Sequence, residues 1–211
     1  MVPGVGGWKA RSRHMMVMDA QAIRDRLTYE VSVLKDEDQR LRELIVYIAG
    51  KFLTCEFFGV VKLNKTLFHS DMLSFRRHGE AITGSKYKKD ERGPVPVHIL
   101  PVQKQMEARN EIRVVPEDMY GLTQRRIVPL RRPNLTLFSG RDIAIVDEVI
   151  QALWSKTGTQ VSEESHGVQW NTRALGDLIP YEASYLSDEP ITPADVERTA
   201  ALAKKYGWAA A

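Results

Sequence analysis

A chain of 211 residues can bury one good core, in one or two domains. Its 43% hydrophobic and 27% charged fractions are ordinary for a globular protein and exclude global disorder. The net charge of +3, from 30 Lys+Arg against 27 Asp+Glu, suits a mixed-sign solvated surface and neither demands nor excludes nucleic acid.

Residues 1–18, rich in Gly and basic side chains and containing Met15, Met16 and Met18, read as a flexible N-terminal extension with no signal-peptide core. Asp19–Asp36 is weakly helical around Ile23 and Leu27. The first strong element is 37–57, where Leu41, Leu44, Ile45, Ile48, Phe52 and Cys55 recur at helical spacing and must pack inward along one stripe. Cys55, the lone cysteine, is on that stripe. It reads as a small buried hydrophobe in a reducing, cytoplasmic protein without a disulfide framework. A second helix runs from about Lys62 to His78 and stops at Gly79, which tolerates the positive φ of a helix end. Ala81–Tyr87 then reads as extended, followed by a turn at Arg92-Gly93-Pro94.

Pro101 fits the first turn of a third helix reaching about Asn110. Ile112–Val115 and Gln124–Leu130 are β-branched and alternating, which predicts a hairpin or small sheet. Ser139-Gly-Arg-Asp142 forms a capping-box pattern ahead of a helix through Trp154 that carries Ile143, Val146, Ile150 and Leu153. A shorter helix covers Thr159–His166 and ends at Gly167, and Thr192-Pro193-Ala-Asp195 opens a last helix ending at Gly207. The order predicts an α+β, mostly α-helical protein: a single domain over 19–211 with a small β-hairpin or sheet insert. No run approaches the ~20 apolar residues of a membrane helix.

Catalytic patterns are absent from the sequence. His69 and Asp71 project from separate directions on a helix, and His78, His98 and His166 lack ligand spacing, so no metal is expected. Ser165 has no Gly-x-Ser-x-Gly elbow, and there is neither a Walker loop nor a Gly-x-Gly-x-x-Gly run, so no nucleotide cofactor is expected. Lys86, Lys88, Lys89 and Arg92 form one basic cluster; Arg125, Arg126, Arg131 and Arg132 form another. Either can meet phosphates or an acidic protein, but aromatic residues are not interleaved with them and Asp90 and Glu91 interrupt the first. Asp71 occupies the apolar row Leu63, Leu67, Asp71, Phe75; once buried, its carboxylate needs a partner, for which a lysine, an arginine, Tyr87 and His166 are candidates.

Lys62-Leu-Asn64-Lys65, Leu67-Phe68, Asp71, Arg77-His-Gly79-Glu-Ala-Ile82-Thr-Gly84, Tyr87 and Gly93-Pro94-Val95 resemble the signature of Panacea-domain proteins, the SocA-like antitoxins and proteolytic adapters of bacteria and phages. Ser165-His166-Gly167, Trp170 and Ile179-Pro180-Tyr181 resemble the C-terminal part of that signature, so the resemblance covers about 36–186. It implies an antitoxin, not an enzyme, that binds a cognate protein toxin and blocks it or hands it to a cytoplasmic protease. Two departures stand out. Phe68 replaces a frequent tyrosine, and the Lys88–Arg92 loop is charged where relatives are often aromatic or apolar.

Within this signature, Lys62, Asn64, Lys65, Phe68, Asp71, Gly79, Ile82, Gly84, His166 and Trp170 are expected to hold the domain together. Lys86, Tyr87, Lys88, Lys89, Arg92, Gly93, Pro94 and Val95, with Arg125, Arg126, Arg131 and Arg132, are the expected partner surface. A nucleic-acid-binding regulator using the basic hairpin is the alternative.

Overall fold

A computed structural model describes residues 38–119, 121–186 and 189–207. The expected N-terminal extension and the weak helix at Asp19–Asp36 lie outside the described residues. Helix α1 covers residues 38–51 and buries Leu41, Leu44, Ile45, Ile48 and then Phe52 completely or nearly so, as the spacing requires. It stops short of the expected 57. The N–H groups of Leu53 and Cys55 bond back to Gly50 and Phe52, tightening the last turn, and the carbonyls freed there are taken by a side group from elsewhere in the fold.

Helix α2, Val60–His78, is the axis around which the domain is built. Leu63 and Leu67 enter the main core, while Phe68 and Met72 enter a second cluster with Tyr87, Ile179 and Ala183. Its last carbonyls are closed by Gly79 at φ 77°, as expected. Against α2 packs α4, Gly140–Leu153, through Ile145, Val146, Val149, Ile150 and Leu153. Ser139 and Asp142 form the reciprocal capping box that starts α4.

Two small antiparallel sheets complete the α+β arrangement. The first joins β1, Tyr87–Asp90, to β2, Gly93–Pro96, and to β5, Leu178–Ile179, in the order β2-β1-β5. Its hairpin turn is Glu91-Arg92, one residue earlier than expected, because Asp90 pairs with Gly93 and Asp90 Oδ1 accepts the Glu91 N–H. Pro94 and Pro96 fit because β2 is an edge strand, where a missing N–H breaks no ladder. The expected extended run from Ala81 is instead irregular up to Lys86. Thr83 gives its N–H to Asp71 and Gly84 turns the backbone at φ 72°, so neither can join a ladder.

The second sheet pairs β3, Ile112–Met119, with β4, Leu122–Pro129. Among the residues whose burial is described, only Ile112 and Ile127, at its base, are buried. Helix α3, Ile99–Ala108, leads into it and has Pro101 in its first turn. Helix α5, Gly158–Glu164, starts at a Thr157–Gln160 capping box, and α6 is the single turn Val168–Asn171. The final helix α7, Pro193–Tyr206, follows the Thr192–Asp195 capping box and ends at Gly207; none of its residues is buried.

Candidate functional site

Most signature residues converge on one task, fastening the β1–β2 hairpin to α2. Asp71 lies wholly inside the protein. Its Oδ1 accepts the Thr83 N–H at 2.7 Å, and its Oδ2 accepts the Tyr87 hydroxyl at 2.8 Å and the Thr83 hydroxyl. Burial raises its pKa above the ordinary carboxylate value, and the bonds from Thr83 and Tyr87 pull it back down. Tyr87 is therefore the expected partner that serves Asp71, with Thr83 beside it. Phe68 meets the Tyr87 ring edge-on, 5.3 Å between centroids.

A second tie lies nearly two turns earlier on α2. Lys65 is 1% exposed and donates to the Pro94 carbonyl at 3.0 Å. Burial pushes its ammonium down to about 7, with Asp90 opposing the shift. Gly93, at φ 91°, sits against this lysine, and a Cβ there would collide with Lys65 Nζ and Ser165 Oγ. Both the conformation and the crowding demand glycine. Lys62 extends the same pattern, donating to the Trp154 carbonyl at 3.1 Å and lying 3.6 Å from Cys55 Sγ.

From the far side, Trp170 donates through Nε1 to the Asp90 carbonyl at 3.1 Å and lies under the Lys89 ammonium, 3.8 Å from the ring centroid. Lys89 also donates to the Arg173 carbonyl at 2.8 Å. His166 stacks on Trp170 at 3.8 Å and 14° and does not reach Asp71. Desolvation, then Lys65 and Lys89, hold its imidazole below the ordinary histidine range. Ile82 is buried, and its carbonyl accepts from Arg40 Nε.

The expected partner surface needs correction. Tyr87, Gly93 and Pro94 are buried, and Lys89 is spent on Trp170 and Arg173. In the second cluster, Arg126 gives its guanidinium to the carbonyls of Phe52, Leu53 and Cys55, closing the end of α1. Arg131 makes a two-pronged pair with Glu43 at 2.6 and 2.8 Å and reaches Glu111 at 3.2 Å. The sequence displays a run of arginines; the carbonyls and carboxylates that arrive from 43–55 are visible only in the fold. Lys86, Lys88, Arg92, Val95, Arg125 and Arg132 remain at the surface, fully or in part.

Between the two hairpins opens a cleft of about 1050 Å³, walled by the start of α2, by Arg92 and Val95, by Gln124 and Arg125, and by the start of α5. Asn64 and Lys65 line it from α2. No spacing signal marked this cleft, because its walls come from four separate elements. Among the described residues no group of three or more His, Cys, Asp or Glu could hold a metal ion, and no helix is long and apolar enough to cross a membrane.

Residues 63–171, just over half of the protein, match the family described as antitoxin SocA-like, Panacea domain. The protein belongs to that family. No curated protein and no solved structure matches it. The Panacea match begins in α2 and ends with α6, so it encloses the Asp71, Lys65 and Trp170 ties of the hairpin but neither Arg173 nor β5.

Proposed function

We propose that this Panacea-domain protein is an antitoxin that binds a cognate protein toxin and neutralises it without chemical turnover, by direct occlusion or by delivery to a cytoplasmic protease. One observation carries the reading. The family's signature residues hold a two-stranded hairpin in place beside a cleft, with the Asp71 carboxylate taken up by Thr83 and Tyr87 inside the protein. A preorganised surface loses little entropy on binding, which favours recognition over chemistry. The nucleic-acid reading draws less support, since Arg126 and Arg131 are already engaged within the protein.

The test is co-expression with the product of the adjacent gene. That product should arrest growth alone and be harmless with this protein present. A neighbour that is harmless by itself, or that arrests growth equally in both cases, would overturn the reading. Depleting the host's cytoplasmic proteases separates the two routes, because occlusion survives the depletion and delivery does not.

A further inference from the structure

Asn64 is a signature residue whose side-chain oxygen the fastened hairpin does not use. It is 7% exposed, and its Oδ1 accepts no hydrogen bond among the described residues. On α2 it shares this state with Ser70, whereas Lys62, Lys65, Thr66 and Asp71 all have partners. An orphaned carboxamide oxygen inside a protein is costly, and a leucine of similar size would remove that cost. Arg42, Ser70, Gln103, His166 and Ser184 also carry an orphaned atom, but of these residues only Asn64 lines the cleft of about 1050 Å³. Beside it, the first turn of α2 has neither a capping side group at Gly59 nor an acid, so Val60 and Val61 present uncapped N–H groups at the same wall.

The lining also states what kind of ligand fits. Lys65, Arg92 and Arg125 are matched by Asp90, Glu91 and Glu163, so the cleft has no surplus charge with which to hold a phosphate backbone. Phe57, Val61 and Met119 supply apolar wall. A carboxamide offers one acceptor and a donor side by side, which is the complement of a peptide carbonyl and N–H. At about 1050 Å³ the cleft is as large as the largest small-molecule pockets, a volume that can take several residues of a polypeptide.

We propose that the cleft takes an extended peptide segment of the partner protein, whose backbone amide is bonded by the Asn64 carboxamide while apolar side groups rest on Phe57, Val61 and Met119. The inference rests on the antitoxin reading only for which protein supplies the segment.

A random dodecapeptide library displayed on phage, selected against the full-length protein, provides the probe. The enriched sequence, synthesised with both ends capped, should bind the wild type and lose at least tenfold in affinity to Asn64→Leu, whose melting temperature should equal or exceed that of the wild type. N-methylation of one peptide amide should reproduce the loss, while alanine at that residue should not. Asn64→Ala gives the same readout should the leucine variant fail to fold.

Failure to enrich any peptide overturns the proposal, as does equal binding to the Asn64 variants. Asn64-dependent binding of a short DNA or RNA oligonucleotide in place of peptide also overturns it. Toxin rescue retained by Asn64→Leu would sink the cleft and leave the antitoxin reading standing. Peptide binding without any toxin rescue would do the reverse.

Discussion

The two hairpins use cations in opposite directions. At β1–β2, cations from other elements and from the hairpin itself point inward: Lys65 holds Pro94 from α2, and Lys89 lies on Trp170. At β3–β4 the sheet exports its cations. Arg126 closes the end of α1, and Arg131, just past β4, clamps Glu43 and Glu111. The first hairpin is thus held along its length by buried polar groups, and the second is fixed chiefly at its base, where Ile112 and Ile127 enter the core. Basic residues in a sequence therefore mark neither a nucleic-acid surface nor a free one until the acceptors around them are known.

Removing the Asp71 carboxylate tests this contrast most severely. Asp71→Ala strands the Thr83 N–H, the Thr83 hydroxyl and the Tyr87 hydroxyl without an acceptor in the interior. The expected loss is about 3–5 kcal/mol of unfolding free energy, read by urea denaturation. A loss under ~1 kcal/mol would mean that the first hairpin is no better fastened than the tip of the second.

A smaller effect is expected at the exporting hairpin. Arg126→Ala should cost about 2 kcal/mol by freeing three carbonyls at the end of α1, whereas Arg125→Ala should stay within ~0.5 kcal/mol. Equal effects of the two substitutions in urea denaturation would erase the distinction drawn between them.

Per unit of change the gentlest probe is pH. Lys65 has its pKa lowered to about 7 in the folded protein from 10.5 when free. Between those values the unfolded protein binds a proton that the folded one has released. Stability therefore rises with pH across the window, by up to ~1.4 kcal/mol per unit, and the contribution is flat below it, where both states hold the proton. Lys65→Met should flatten that rise in urea midpoints measured at the two ends of the window. Some slope should survive, because burial lowers the Lys62 pKa as well.

Where a feature depends on near neighbours in sequence, it was legible. The stripe of α1, the stop at Gly79, the capping boxes at Ser139 and Thr192 and the Ile112 hairpin all rest on contacts within a few residues. The short β1–β2 hairpin escaped because Pro94 and Pro96 argue against a strand unless it lies at an edge, and edge position is a tertiary fact. Asp71 could be flagged as needing a partner, since an acid interrupts an apolar row. That Thr83 would join Tyr87 there could not, because the turn at Gly84 decides where Thr83 points. Asn64 looked structural for the same reason. Only the assembled fold shows that nothing among the described residues satisfies its Oδ1.

The sheet order β2-β1-β5 also has a bearing on synthesis. β1 and β2 are neighbours in sequence, but β5 pairs with β1 from far downstream, and Trp170 reaches Asp90 from the same late stretch. As the protein emerges from the ribosome, the hairpin can close early, yet one side of β1 stays an open edge until residues 170–179 have been made. Long-range closures of this kind are slow and leave strand edges exposed to other polypeptides. For this protein the interval between making the hairpin and sealing it is when pairing with a wrong partner is most open.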